Sequence, residues 1–327
     1  MADLAVVIVT YNSAAYLEPC LATLYAHAGD LELDVVVADN ESTDGSPELV
    51  EHLFPEVRVL RCENRGFAFG NNRAFATVDA PYVLFLNADT EIVAGTFSEL
   101  LENFGERPEV GLVGVRQLDS HGNVYPTIRR FPSAARLFFE AIGSERFPFR
   151  TRFLGERELD LRVYDSEVEC DWTSGSFMLA RREAMLAAGL MDERFFMYCE
   201  EPDLCLRIKA AGWQVRHLPT LTIIHHAGRA GWSARLVAQD AFARRQYIAK
   251  HFWGPRAALA FAAFALGHAL RALYGARSRE QRRARRAASL AALRTLFGLD
   301  PPPFGKPPRQ AVALLETETD AEAVTRI

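Results

Sequence analysis

Asn87 and Asp89 stand two residues apart, just past the apolar run Tyr82–Leu86. In an extended segment both side chains point the same way. Such an oxygen pair suits a hard divalent cation that carries substrate phosphates. The plain alternative is an Asx-type turn closing a strand. Further along, Glu200, Glu201 and Asp203 surround Pro202. Proline suits a first helical turn, where its missing N–H costs nothing. Glu200 and Glu201 then lie at a helix N-terminus, with Asp203 a turn in. Asp203 and Arg207 are four apart and can pair along that helix. His225 and His226 close a further apolar run, Leu221–Ile224, where an imidazole is either structural or a metal ligand.

These groups need a scaffold that gathers strand ends. Tyr82–Leu86 carries no charge and reads as a strand buried on both faces. Leu4–Val9 is a second such run, rich in β-branched residues, and Asp34–Ala38 and Val57–Arg61 are two more. Helices are expected between them at Ala14–His27, with Ser13 as its cap, at Pro47–Leu53 and from about Gly70 to Thr77. This alternation is the pattern of a doubly wound, mostly parallel sheet. The four strands end in Thr10-Tyr11-Asn12, Asp39-Asn40, Asn64-Arg65-Gly66 and Asn87-Ala88-Asp89. Four polar clusters at one carboxyl edge point to a site there. No GxGxxG follows the first strand, which argues against a dinucleotide dehydrogenase. Beyond Asp89 we expect a helix over Glu91–Glu106, a strand over Val110–Val115, and loops with short helices from about Gln117 to Val168. A strand over Phe177–Ala180, a helix over Arg181–Ala188, and strands over Trp213–Leu218 and Leu221–Ile224 follow.

The 327 residues, 49% hydrophobic and 24% charged, allow one α/β domain of roughly 200–250 residues plus an appendage. A net charge of -5 argues against nucleic acid as a partner. Five scattered cysteines without a CxxC pair suggest neither a zinc site nor a disulfide framework, which fits a reducing cytoplasm. The chain enters its first strand directly and reads as having no signal peptide. After Trp253 the composition shifts. Ala257–Leu273 is apolar and alanine-rich; Arg277, Arg279, Arg282, Arg283, Arg285 and Arg286 follow; Leu290, Leu293 and Leu296 form another amphipathic run. This reads as an interfacial anchor on an anionic leaflet. A helical hairpin packed on the catalytic domain, or a homodimer contact, fits the same pattern. We therefore divide the chain into a catalytic domain at 1–253, a helical basic appendage at 254–299 and a disordered tail at 300–327.

The order of seven motifs carries a resemblance: TYN, DNESTDGS, NRGFAFGNNRAF, FLNADT, GSFMLARREA, FFMYCEEPDLCLRIKAAGW and IHHAG. Over roughly residues 4–235 the chain resembles the family 2 glycosyltransferases of the GT-A fold, and within them the bacterial rhamnosyltransferase-type enzymes. The resemblance implies an inverting transfer of a sugar, rhamnose among the candidates, from a dTDP- or UDP-sugar to a glycan or lipid-linked glycan. It implies a nucleoside pocket of Thr10, Tyr11, Asn12, Asp39 and Asn40, with Asp39 accepting from the pyrimidine N–H. Asn64, Gly66 and Asn71 would line the diphosphate and sugar, Gly66 by letting the backbone come close. Asn87 and Asp89 fall on the family's DxD motif, with Asn in place of the first acid. Asp89 and His225 would then ligate Mg²⁺ or Mn²⁺, imidazole being more natural for Mn²⁺. The catalytic base falls on Glu201, where the family carries Asp, with Asp203 as its rival. Trp172, Gly175 and Glu200 would form the acceptor side. Such an enzyme would sit in the cytoplasm or at the inner face of the membrane. The Asn87 and Glu201 departures also admit a sugar-nucleotide or glycan binder without turnover.

Overall fold

The computed structural model describes residues 2–143, 154–226, 233–274 and 278–305. The N-terminal half follows the expected alternation: β1 (Leu4–Thr10), α1 (Ala14–Ala26), β2 (Leu33–Asn40), α2 (Ser46–Leu53), β3 (Arg58–Cys62), α3 (Phe67–Phe75) and β4 (Tyr82–Asn87). β1 pairs in parallel with both β2 and β4, which sets Thr10 level with Asp39 and Val9 level with Asn87. Register thus aligns the polar strand ends along one edge. Alternate residues of β1 face opposite sides. Leu4, Val6 and Ile8 pack with Leu17 and Leu21 of α1, while Ala5 and Val7 pack with Phe75 and Phe85. Both faces are dry, as a parallel sheet requires. Ser13 makes no side-chain cap on α1; Asp44 does the work instead, its Oδ2 accepting from Ala14 N at 2.9 Å.

Past β4 the sheet becomes mixed. The elements are β5 (Thr90–Ala94), α4 (Phe97–Gly105), β6 (Val110–Leu118), α5 (Ala134–Ile142), the short β7 (Val168–Glu169), β8 (Phe177–Arg181), α6 (Arg182–Ala188), α7 (Glu200–Ala210) and β9 (Gln214–His225). The strand order is β3-β2-β1-β4-β8-β6-β9-β5, with β7 on β9. β8 runs against both β4 and β6, and β5 against β9. The helix expected over Glu91–Glu106 is thus two elements. Thr90 and Ile92 turn inward and Glu91 and Val93 outward, the alternation of a strand. Gly95 breaks it at φ +80°, where a Cβ would strike Thr220 O at 2.3 Å. Thr96 and Glu99 then start α4 with a capping box. The two strands expected around Pro219 are one, β9, with an irregularity opposite Val115 and Arg116 that accommodates the proline.

Three helices follow: α8 (Ala234–His251), α9 (Gly254–Leu273) and α10 (Arg279–Leu296). They share a core with α5, in which Leu137 and Ala141 meet Val237, Ile248, Phe264, Ala292 and Leu296. Gly267 lets α9 press on α5, since a Cβ there would fall 2.6 Å from Ala141 Cβ and from Phe138 O. By length and composition α9 could cross a membrane (20 residues, mean hydropathy 1.3). Its outward side exposes Leu259, Leu266 and Leu273. Of the segment expected to be a disordered tail, residues 300–305 are ordered and lie on the body of the protein. Residues 306–327, like Arg277, fall outside the described residues.

Candidate active site

The antiparallel return of β5 along β9 sets Thr90 opposite His225. This brings two motifs 136 positions apart in the chain into contact. Asp89 Oδ1 lies 3.1 Å from His225 Nε2, and Asn87 Nδ2 lies 3.3 Å from the same nitrogen. His226 turns elsewhere: its Nε2 meets Glu91 Oε1 at 2.6 Å and its ring stacks on Tyr16. Burial pushes the Asp89 carboxyl up most, but the hydrogen bond and charge of His225, the backbone bond and the charge of His226 together hold the group below its ordinary range. On its other side, His225 Nδ1 meets the Gln117 amide at 2.9 Å, and Gln117 Oε1 accepts from Ser176 Oγ at 2.6 Å. Ligation through Nε2 places the ring proton on Nδ1, where the amide turned over would accept it. Among the described residues no three His, Cys, Asp or Glu side chains cluster as a closed metal cage. One carboxylate, one imidazole and an amide oxygen fit a hard divalent ion whose remaining positions go to phosphate and water.

Beside this pair opens a cavity of about 600 Å³. Tyr11, Asn40, Asn64, Gly66, Asn87 and Asp89 line it, with at least one from each of the four expected strand ends. Thr10, Asp39 and Asn71 are buried near it. Thr10 Oγ1, Asp39 Oδ1, Asn40 Oδ1 and Asn71 Oδ1 have no protein hydrogen-bond partner. Orphaned buried oxygens in such a group need a ligand or water to satisfy them. Asp39 itself is oriented by Ser42 N, which donates to Oδ2 at 3.1 Å. Asn12 shapes the rim, at φ +52° and with its Oδ1 accepting from Thr43 N at 2.8 Å.

The acidic group is delivered by a strained turn. Tyr198 (φ +73°) and Cys199 (φ +69°) are consecutive non-glycine residues in the left-handed region, directly before α7. Glu201 Oε1 accepts from Gly175 N at 3.1 Å. Burial raises the Glu201 carboxyl, and the Gly175 amide offsets this only in part. Glu200 is buried, its Oε2 has no partner, and burial with the neighbouring Glu201 charge raises it much further. Two adjacent carboxyls are thereby pushed apart in proton affinity. The turn that holds Glu201 also holds the Asp89–His225 pair. Ser176 O accepts from Asn87 N at 3.1 Å, and Ser176 Oγ reaches His225 through Gln117.

The family model for glycosyl transferase family 2 matches residues 5–167. The N-acetylglucosaminyl-diphospho-decaprenol L-rhamnosyltransferase of Mycobacterium tuberculosis is 35% identical over 238 residues, 68% of this chain and 76% of that protein. The chain belongs to glycosyl transferase family 2. Within it the chain is rhamnosyltransferase-like: rhamnosyltransferase WbbL of Escherichia coli is 26% identical over 237 residues, 68% of this chain and 83% of the relative. A solved mannosyltransferase of Pyrobaculum calidifontis, in complex with GDP-Man and Mn²⁺, superposes with a TM-score of 0.55 at 19% identity, covering 91% of this chain and 88% of that one. GalNAc-T7 with UDP, GalNAc and Mn²⁺ gives 0.56 at 13% identity, covering 88% and 54%. The fold is GT-A.

Set in this glycosyltransferase frame, some expected residues take other roles. Gly66, at φ +104°, lines the cavity and also admits the backbone of Phe196: a Cβ would lie 2.3 Å from Phe196 O, which accepts from Phe67 N. Trp172 is buried, its indole N–H donates to Arg130 O, and the Arg129 guanidinium covers its ring, so it offers no open face. Asp203 is fully buried among Arg207 Nη2 (2.7 Å), His251 Nε2 (2.7 Å) and Lys250 Nζ (2.5 Å). Burial raises its carboxyl, but the His251 bond and the Arg207 and Lys250 charges hold it at about 2. Sequence reasoning missed Gln117 and, among the cavity residues, Phe196, Arg235, Pro303 and Phe304. Phe196 lay within a quoted motif without a role. The others carry no local signal, because their partners are tens of residues away.

Proposed function

We propose that this family 2 enzyme transfers rhamnose, with inversion, from a dTDP- or UDP-linked donor to a hydroxyl of lipid-linked N-acetylglucosamine diphosphate. The observation that carries the reading is the 174–176 turn. It joins the Asp89–His225 pair, whose carboxylate lines the cavity, and the Glu201 carboxylate into one hydrogen-bonded unit. The acceptor follows from the activity named for the mycobacterial relative.

In this account Asp39 Oδ1 accepts from the pyrimidine imide and Asn40 holds the adjoining ring or ribose. Asp89 and His225, with Asn87, would hold Mg²⁺ or Mn²⁺. When bound, the ion neutralises charge growing on the leaving nucleoside diphosphate. Glu201 takes the proton of the acceptor hydroxyl as its oxygen attacks the anomeric carbon from behind. The bond to the diphosphate breaks on the opposite side and the nucleoside diphosphate leaves with the electron pair. Burial and the Glu201 charge favour the protonated form of Glu200, so Glu201 is the carboxylate assigned as base. Asp203 serves as the buried anion that ties α7 to α8.

The enzyme would act at the inner face of the membrane. Support comes from exposed Trp253, Leu259, Leu266, Leu273 and Tyr274 beside exposed Arg279, Arg282, Arg283 and Arg286 of α10. Co-sedimentation with anionic but not neutral vesicles is expected; a doubled solution mass with no vesicle binding would instead assign this face to a homodimer. The central test is transfer from dTDP-rhamnose to a synthetic polyprenyl-diphosphate N-acetylglucosamine, with the product anomer read by NMR. Asp89→Ala and Glu201→Gln should abolish turnover, and chelation should abolish it in the wild type. Donor binding without turnover in the wild type would make the chain a binder. Retained turnover in Glu201→Gln would move the base elsewhere.

A further inference from the structure

We propose that the ordered C-terminal segment Pro301–Phe304 completes the donor site, with Phe304 as the positioning residue that aims Arg235 at the donor diphosphate. This rests on the donor reading above. The segment is anchored before it reaches the cavity. Arg294 grips Asp300 with two bonds of 2.7 Å, Arg294 O accepts from Leu299 N, and Pro302 is buried. A turn closed by Gly305 N to Pro302 O then sets Phe304 against the cavity wall.

Two contacts give Phe304 its function. Its ring stacks on Phe196 with centroids 5.9 Å apart and planes 13° from parallel. The Arg235 guanidinium lies over the same ring at 4.1 Å and donates through Nη2 to Pro303 O at 3.2 Å. Phe196 is itself fixed, since its carbonyl accepts from Phe67 N across Gly66. Arg235 is the cation among the residues that line the cavity, and Asp89 is the carboxylate. No carboxylate among the described residues pairs with Arg235. A ring and one carbonyl hold the guanidinium plane and leave most of its five N–H groups for an anion. Asp89, a neutral His225 and a divalent ion together leave about one net positive charge. A nucleoside diphosphate would bring more negative charge than they offset, and Arg235 answers it with a planar fork suited to phosphate oxygens.

The test uses the full chain and isothermal titration with dTDP and with UDP, each in the presence of Mn²⁺. Asp89→Ala should abolish wild-type binding, which checks the donor reading by itself. Phe304→Ala should weaken binding about tenfold, raise the donor KM and leave kcat at saturating donor and Tm unchanged. Phe304→Tyr, which keeps the ring, should restore affinity. Arg235→Ala should weaken binding at least as much, and adding Phe304→Ala to it should cost nothing further. Unchanged affinity in Phe304→Ala, or additive losses, would reduce the segment to packing. Tighter binding in Phe304→Ala would make it a plug. A wild type that binds neither nucleotide would overturn the donor reading and this proposal together.

Discussion

Gly175→Ala should disable the enzyme without unfolding it. The added methyl would sit 2.6 Å from Glu201 Oε1, 3.0 Å from its Cγ and 3.1 Å from its Cδ. Ordinary contact begins near 3.4 Å, so the carboxylate must retreat by about 0.8 Å. The Gly175 N–H to Glu201 bond is stretched or lost with it. The backbone is not in the left-handed region, and the clash is with the mobile end of a side chain, so stability should change by less than ~1 kcal/mol. Catalysis is less tolerant: a base misplaced by about 1 Å costs on the order of 10²-fold. We expect kcat to fall by ~10²-fold with donor KM and Tm preserved. The decisive measurement is a double-mutant cycle. Glu201→Asp removes one methylene and vacates the space the methyl needs. Gly175→Ala with Glu201→Asp should therefore lose much less than the product of the two single effects. Wild-type kcat in Gly175→Ala, or strictly multiplicative losses, would show that the Gly175 contact does not position the base.

Asp203→Asn should act on stability. With its native carboxyl near 2 against an ordinary 3.8, Asp203 contributes about 2 kcal/mol that is fully present above pH ~4 and is lost as pH falls through about 2. Urea unfolding should show a lower midpoint for Asp203→Asn at neutral pH and a flatter dependence between those limits; an unchanged midpoint would refute the buried cluster. The acid limb of kcat/KM should lie above the ordinary carboxylate range, because Glu201 is raised and must be ionised to accept a proton. Activity is lost as pH falls through that raised value, and a limb near pH ~4 would point to a solvated carboxylate instead. Gln117→Leu should weaken Mn²⁺ binding by ~10–100-fold, read by EPR of free Mn²⁺, because His225 loses the partner that sets its tautomer. Unaltered affinity would mean that His225 is not a ligand.

The parallel half of the sheet was legible because β1, β2 and β4 are short apolar runs, each broken by a polar cluster at its carboxyl end. Register then did what periodicity implied, setting Thr10 against Asp39 and Val9 against Asn87. β5 was not legible. Thr90–Ala94 runs into residues with helical spacing, and only pairing with β9, some 130 residues on, decides for a strand. The i,i+4 partner of Asp203 could be read from spacing. Lys250 and His251 could not, since nothing local links α7 to the end of α8. Trp172 was ambiguous for a physical reason: an aromatic beside a loop can floor a site or fill a core, and the Arg129 that covers it lies 43 positions earlier. The proline-rich stretch after Asp300 looks disordered by composition, yet one stacked ring and one bidentate ion pair order its first residues.

The core shared by α5, α8, α9 and α10 bears on how this enzyme meets its acceptor. Helices joined to the catalytic body by a hinge would let the cleft sample many angles to whatever surface they touch. Here Leu137 of α5 packs with Phe264 and Ala292, and Asp203 of α7 pairs with Lys250 and His251 at the end of α8, so the helices and the cleft turn as one piece. If α9 and α10 settle on a membrane as proposed, their orientation would therefore fix the height and tilt at which a lipid-borne sugar enters.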